Sequence, residues 1–432
     1  MRTAPRQRRQ RAPAPGGAVV DRYDALLLDL DGVLHRGGQP VPGAAEALEE
    51  LRRRGLPLAF LTNNSSRTPE EVAARLAGMG FRVRPDEVVT SAQVTAALLR
   101  REGAEGRTAF VLGERGLRQA LRDAGLRILD GEPERADLVV VGWDRSATYD
   151  RLRRAALLVQ RGARLVASNA DAAYPAPDGL WPGAGALLAA ITTTTGARAT
   201  VVGKPAPPMF EAARERTGAR RPLVVGDRLD SDVAGSAAMG WDSALLLTGV
   251  SRPADLLRAP ALPTYVAPGL SVLLDDVPPA RCRPAVPDDV PALNRLLRAC
   301  GLSAEGLEGR LEGTVVLEAE PGGGELLATA CVEDFGPAGL LRSVGVRPEW
   351  RGKGLGLLAV AGAVAGARAR GVRHLSLFTR TAAPFFGRLG FRPCRLEALP
   401  EPVRTSPQAR GECASSTPMV LELDGPGPSP DA

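Results

Sequence analysis

Short runs of consecutive apolar residues recur along the first two thirds of this chain, with stretches of helical spacing between them. Residues 23–30, 57–62, 107–112, 136–141, 164–167, 199–202 and 222–225 read as buried strands. Residues 43–54, 69–79, 91–101 and 149–161 carry apolar positions at helical intervals. Strand and helix in alternation predict an α/β domain: a doubly wound parallel sheet with helices on both faces. In such a sheet ligands bind outside the carboxyl ends of the strands.

The pattern changes after Asp275-Asp-Val-Pro-Pro-Ala-Arg281, a Pro-containing break. A helix over 288–299 is followed by strands over 314–319, 326–333 and 339–346, the first two joined by a turn at Gly322-Gly-Gly. A long helix, a strand at 374–379, a short helix and a strand at 419–423 complete an α+β unit. The domains expected are a disordered Arg/Pro-rich tail (1–20), an α/β domain (21–276), a linker (277–283), the α+β domain (284–424) and a tail (425–432). No apolar run reaches the roughly 20 residues that span a bilayer.

Four motifs in the first domain follow buried strands. Leu28-Asp29-Leu-Asp31-Gly-Val-Leu34 puts two carboxylates where a chain turning at Gly32 brings both to one phosphate. One can attack phosphorus; the other can protonate the leaving oxygen and then activate water. Two carboxylates beside a phosphate need a cation, and all-oxygen ligands suit Mg²⁺. Phe60-Leu-Thr62-Asn63-Asn64-Ser-Ser66 offers neutral donors to phosphoryl oxygens. Val202-Gly-Lys204-Pro supplies an ammonium. Val225-Gly-Asp227-Arg-Leu-Asp230-Ser-Asp232 supplies acids to ligate or orient a metal. An isolated Asp-x-Asp-Gly is usually a solvated turn; four different motifs in order, each after a buried strand, are hard to account for that way.

With these residues the chain resembles the haloacid dehalogenase (HAD) phosphatases, class IIA, from about Asp21 to Leu274. That subfamily includes phosphoglycolate, glycerol 3-phosphate and nucleotide phosphatases. The resemblance extends through Val141-Gly-Trp143-Asp-Arg-Ser-Ala-Thr-Tyr149, Ser168-Asn169-Ala-Asp171, Leu180-Trp181-Pro-Gly183-Ala-Gly185 and Leu247-Thr-Gly-Val-Ser251. It implies an α/β cap inserted at about 90–190, with Asp29 as nucleophile and Asp31 as general acid/base. Thr62, Asn63 and Asn64 would hold the phosphoryl group and Lys204 would stabilise it. Mg²⁺ would take Asp29, the Asp31 carbonyl and Asp227, with Asp232 supporting. His35 reads as a loop residue near the entrance; Trp143 and Trp181 line the cap or pack it on the core.

The second domain holds Ser343-Val344-Gly-Val346-Arg-Pro-Glu-Trp-Arg351-Gly352-Lys353-Gly354-Leu-Gly356 between a strand and a helix. A Gly-rich turn at a helix start presents free N–H groups to a pyrophosphate. From about Cys282 to Leu423 the chain resembles the GNAT acetyltransferases, with Arg351-x-x-Gly354-x-Gly356 as the acetyl-CoA loop and Ala383-Pro-Phe385-Phe386-Gly-Arg-Leu-Gly-Phe391 as a later motif. Leu340-Leu-Arg342-Ser-Val with Cys413-Ala-Ser415-Ser416 points to the arsenic-resistance N-acetyltransferase branch. The resemblance implies that Val344 and Val346 hold pantetheine through their backbones, while Arg351, Gly352, Lys353, Gly354 and Gly356 hold the pyrophosphate. Arg342, Ser415 and Ser416 are acceptor contacts by the same reading. Many members have Tyr where Phe386 stands, as acid to the leaving thiolate. Phe cannot serve, so water or another group must, or the domain only binds acetyl-CoA and regulates the phosphatase.

Charge and cysteine content narrow the classes. The net charge is +6, yet Arg2, Arg6, Arg8, Arg9 and Arg11 supply most of it before any acid occurs. The rest is close to neutral, which argues against a nucleic-acid binder. The five cysteines are scattered, without metal-ligand spacing, and read as free thiols in the cytoplasm. Lys204 and Lys353 are the only lysines, each inside a motif. The expected partners are a small phosphate ester, an acetyl acceptor and a second copy of the chain in a homodimer, with no membrane and no nucleic acid.

Overall fold

The computed structural model describes residues 17–176, 178–319, 325–410 and 416–423. The strand Ala25–Asp29 is buried at every position, as a strand covered on both faces must be. Leu26 and Leu28 enter one core and Leu27 another. On the first face, helix Ala44–Arg53 buries Ala44, Ala47, Leu48 and Leu51, an i, i+3, i+4, i+7 stripe. On the second, helix Pro207–Thr217 buries Met209, Phe210 and Ala213. The sheet runs Tyr265–Ala267, Ser243–Leu246, Pro222–Gly226, Ala25–Asp29, Leu58–Thr62, Val88–Thr90, all parallel. Chain order reverses on either side of Ala25–Asp29, which opens the ligand crevice at the Asp29 end.

The cap is a second parallel sheet in the order Thr200–Val201, Arg164–Ala167, Leu138–Val141, Thr108–Leu112, Arg127–Leu129. An antiparallel hairpin, Ala173–Ala176 with Gly179–Pro182, projects from it. The expected cap end near 190 is thus too early, because Thr200–Val201 pairs with Val166–Ala167.

The C-terminal domain is a mixed seven-stranded sheet beginning at Ala280–Pro284. That strand pairs with Thr314–Ala319, so most of the expected 277–283 linker belongs to the sheet. Prolines on both sides hide a short edge strand in the sequence. Helix Leu355–Ala369 buries Leu355, Leu357, Leu358, Val360 and Val364 along with four of its alanines, Ala359, Ala361, Ala363 and Ala367. The parallel pairing of strands Ala338–Val346 and His374–Thr379 stops at Leu340–Ser376. Beyond it the register on the other side shifts and Ser343 takes φ +52°.

The N-terminal expectation also needs correction. Val19 and Val20 are fully buried in the helical turn Val19–Arg22, and the Val19 N–H donates to the Asp275 carbonyl (2.9 Å). The Arg-rich stretch 1–16, the Gly322 turn, Cys413, Ser415 and the 425–432 tail lie outside the described residues. Among the described residues no helix is long and apolar enough to cross a membrane.

Candidate active site

Asp29, Thr62 and Gly226 are the last residues of adjacent strands. Lys204 follows the cap strand Thr200–Val201 and reaches the same point. Its Nζ lies 2.5 Å from Asp29 Oδ1 and 2.7 Å from Asp232 Oδ1. Carboxylate oxygens of Asp29, Asp227 and Asp232 lie within 4.8 Å of one another, and all three residues are buried. Three carboxylates therefore face one ammonium, and such an excess of buried charge is costly unless compensated. Burial, with Asp232 and Asp227 adding to it against Lys204, holds Asp29 well above the usual carboxylate range. Burial and Asp232 push Asp227 up to about 7. Burial works against the charge on Lys204, but Asp232 and Asp29 outweigh it and keep the proton on. An all-oxygen donor set with surplus negative charge fits a hard divalent cation.

Asp227 is clasped by backbone. Val250 N–H donates to its Oδ2 (2.6 Å) and Ser251 N–H to its carbonyl (3.1 Å). Ser251 Oγ accepts from Leu229 N–H (3.1 Å), and Thr248 Oγ1 donates to the Gly32 carbonyl. Glycine is required on both sides of the carboxylate. A Cβ on Gly249 would lie 1.9 Å from Asp227 Oδ2, and one on Gly32 2.4 Å from Asp227 Cγ. Gly32 also has φ +79°, a region disfavoured for other residues. The Gly249–Ser251 loop had no role in the sequence reading beyond its family likeness.

Asp31 sits apart from the three clustered acids, half exposed, with Oδ1 3.3 Å from His35 Nδ1. His35 is buried in the short strand His35–Arg36, not at the entrance as expected. Burial, aided by Arg75 and Arg67 and opposed by Asp31, pulls its pKa down. The second motif also differs from expectation. Asn63 Nδ2 donates to Asp171 Oδ2 and the Lys204 carbonyl (3.0 Å each), and its Oδ1 accepts from Lys204 N–H (2.8 Å). That amide ties the lysine loop and the cap to the core, so it is not a spare phosphoryl donor. Thr62 Oγ1 accepts from Asn64 N–H (3.1 Å), and Asn64 Oδ1 caps Ser66.

These residues floor a cavity of about 450 Å³, walled on the cap side by Trp143, Tyr174 and Leu180 and on the core side by Arg228 and Val250. Trp143 stacks on Tyr174 (4.2 Å between ring centroids) and donates Nε1–H to the Pro182 carbonyl (3.1 Å). Trp181 is outside this lining; its Nε1–H goes to Asp178 (2.8 Å).

In the C-terminal domain, Val344 and Val346 lie where the two strands stop pairing. Arg351, Gly352, Lys353 and Gly354 form the turn into helix Leu355–Ala369, which also holds Gly356. Arg351 Nε–H donates to the Val346 carbonyl (3.3 Å), and Lys353 Nζ meets Asp275 Oδ2 at 2.6 Å. Both cations of the expected pyrophosphate loop are therefore engaged within the protein. Phe386 is buried edge-on between Phe385 and Phe391. Arg342 pairs with Glu333 (3.1 Å).

Residues 26–127 match the family model described as haloacid dehalogenase-like hydrolase, and residues 201–273 match a second HAD-hydrolase-like model. The D-glycerol 3-phosphate phosphatase of Mycobacterium tuberculosis is 40% identical over 261 residues, 60% of this chain and 73% of that protein. The chain belongs to the haloacid dehalogenase-like hydrolases. A second relative of this HAD protein, the dihydroxyacetone phosphatase of Corynebacterium glutamicum, is 38% identical over 253 residues, 58% of this chain and 90% of its own. A solved structure of a glycerol phosphate phosphatase from M. tuberculosis in complex with magnesium aligns with TM-score 0.66 at 32% identity. It covers 86% of this chain and 98% of that one. Residues 310–393 match an acetyltransferase (GNAT) domain. The protein is thus a phosphatase-type HAD enzyme joined to an acetyltransferase-type domain.

Proposed function

We propose that the chain hydrolyses a small phosphomonoester of the glycerol 3-phosphate or phosphoglycolate type, with Asp29 as covalent nucleophile and Mg²⁺ as cofactor. The observation that carries this is the buried set Lys204–Asp29–Asp232–Asp227 at the floor of the cavity. The relatives that act on glycerol 3-phosphate and dihydroxyacetone esters support the substrate class. Asp29, the Asp31 carbonyl and Asp227 would hold Mg²⁺, with Asp232 supporting; bound there, the cation neutralises the phosphoryl oxygens and the carboxylate excess.

Asp29 attacks phosphorus, forming an acyl phosphate as the bond to the ester oxygen breaks, and Asp31 delivers its proton to that oxygen. Asp31 then takes a proton from water, the resulting hydroxide attacks phosphorus, and Asp29 leaves as carboxylate with inorganic phosphate released. Lys204 fixes the Asp29 oxygen and offsets charge on the transferring group. Thr62 Oγ1 and the Asn63 backbone N–H orient that group, and Asn64 acts through its N–H bond to Thr62. Phosphate release from a panel of esters, with and without Mg²⁺, tests the reading. Release confined to wild type with metal and absent in Asp29→Asn supports it; full release by Asp29→Asn sinks it.

The second half of the proposal is acetyl transfer from acetyl-CoA by the C-terminal domain. The strand gap at Val344–Val346 and the loop Arg351, Gly352, Lys353, Gly354, Gly356 would hold the cofactor. Phe386 favours a rival in which the domain binds acetyl-CoA without turnover and regulates the phosphatase. Thiol release from acetyl-CoA across an amine panel separates the two. The same proposal divides the chain at 21–276 and 284–424, adding Val19 and Val20 to the first unit and Ala280–Pro284 to the second. It places the enzyme in the cytoplasm, where the thiols of Cys282, Cys300, Cys331 and Cys394 stay free.

A further inference from the structure

The two domains share a core. Leu245, Leu256, Leu257 and Val266 of the phosphatase unit lie in one buried cluster with Leu355, Leu358 and Ala359 of helix Leu355–Ala369. The contact is tight at the helix start. A Cβ on Gly354 would lie 2.1 Å from the Val266 carbonyl oxygen. Beside it Lys353 meets Asp275, and further along Arg368 Nη1–H donates to the Leu257 carbonyl (3.4 Å).

The chain connects this interface to the carboxylate cluster. Leu245 and Leu247 pack in the shared core. The chain then leaves it: Thr248 bonds Gly32, Gly249 presses against Asp227, and Val250 and Ser251 donate to Asp227. It returns through the turn Pro253–Arg258, whose Leu256 and Leu257 re-enter the same core. The return stem thus packs on the C-terminal helix, and the outgoing stem lies in the buried cluster that the helix shares. The clasp itself has no slack, since Gly249 has no room for even one added carbon beside the carboxylate.

We propose that the C-terminal domain positions Asp227: its helix Leu355–Ala369 fixes the stems of the 248–255 loop, and the domain contact thereby sets the affinity of the phosphatase site for its divalent cation. This rests on the reading of Asp227 as a metal ligand. Gly354 and Leu257 act through the loop and touch no reacting atom. A side chain on Gly354 must drive the helix and Val266 apart, and truncating Leu257 leaves one stem loose. In either case the Val250 N–H moves off Asp227, and partners of this outer kind tune metal sites strongly.

The test is calorimetric titration of metal-stripped, full-length protein with Mg²⁺, beside circular dichroism and thermal melting. Gly354→Ala and Leu257→Ala should weaken Mg²⁺ binding several-fold, to about tenfold. Lys353→Ala, which removes only the ion pair to Asp275, should shift it in the same direction by less. Leu297→Ala, in the separate cluster under helix Val290–Ala299, should lower the melting temperature and leave Mg²⁺ affinity unchanged. Wild-type affinity in folded Gly354→Ala and Leu257→Ala, with binding lost in Asp227→Asn, overturns the bracing role alone. Wild-type affinity in Asp227→Asn overturns the metal reading and the brace with it.

Discussion

Replacing Lys204 by Met removes one charge from the buried cluster while keeping most of the side-chain volume. At an effective dielectric constant of about 20, each contact of 2.5–2.7 Å is worth about 6 kcal/mol of gross attraction. Much of that offsets the desolvation of the ammonium and two carboxylates. Breaking a buried pair by deleting one partner typically costs about 3–5 kcal/mol net. With Lys204 gone, Asp29, Asp227 and Asp232 face one another with no cation. The metal-free variant should therefore melt about 10 °C below wild type, at about 2–4 °C per kcal/mol. Saturating Mg²⁺ supplies the missing charge, so the gap should shrink to a few degrees. Activity should not recover with it, because Lys204 also fixes the attacking oxygen: kcat should fall about 10²–10³-fold. The assay is scanning calorimetry in chelator and in Mg²⁺, with phosphate release at saturating metal. An equal melting deficit in both conditions, or a kcat within about threefold of wild type, would refute the electrostatic account.

Asn63→Ala deletes three hydrogen bonds joining the lysine loop, the cap and the core. At about 1 kcal/mol each, urea denaturation should show a loss of about 2–3 kcal/mol, and kcat should fall more than KM rises. Asp31→Asn should slow turnover by about 10²–10⁴-fold, and rapid-quench sampling should find phosphate on Asp29 when the ester has a good leaving group; absence of that species argues against the acid/base role. Tyr23 Oη donates to Asp242 (2.9 Å) and lies 3.2 Å from Tyr265 Oη. Burial, then Tyr265 and Asp242, raises its pKa, and Tyr265 is pushed up to about 12 by burial. Both phenols ionise in the unfolded chain near pH 10 but not in the folded one, so stability is intact below about pH 10 and falls as pH rises beyond it. Tyr23→Phe should flatten that alkaline loss in melting curves while costing about 1 kcal/mol at neutral pH.

What the sequence made legible follows from range. A parallel strand buried on both faces is an apolar run, and its functional residue is the first polar one at the end, as Asp29 and Thr62 are. Lys204 was visible as one of only two lysines. Other features depend on partners far away in the chain. Asn63 reads as a phosphoryl donor until Asp171, 108 residues on, and Lys204, 141 residues on, take up its amide. The Gly249–Ser251 loop holds Asp227 through backbone N–H groups, which leave no side-chain signature. Strands Val88–Thr90 and Tyr265–Ala267 are three residues each, too short for periodicity to register. His35 follows a motif and so looked like part of its loop, whereas it lies buried in a short strand paired with Gln39–Pro40.

Lysine is so rare in this chain that each one carries information, and the two carry different kinds. Lys204 sits buried between two carboxylates, where a compact ammonium meets both at once. Lys353 was expected to meet a pyrophosphate, yet its ammonium meets Asp275, at the end of the phosphatase unit. A CoA pyrophosphate on the proposed loop would compete with Asp275 for that ammonium. Because Asp275 also receives the Val19 N–H, and the loop leads into the helix proposed to brace the Asp227 stems, cofactor binding at one end would perturb the clasp at the other. Linkage then requires reciprocity: whatever factor acetyl-CoA imposes on Mg²⁺ affinity, Mg²⁺ imposes on acetyl-CoA affinity. Titrating each ligand in the presence of the other measures that factor twice. Two equal factors different from one establish that the domains communicate. Two independent affinities mean that the loop binds its ligand without disturbing Asp275, and the two domains act independently.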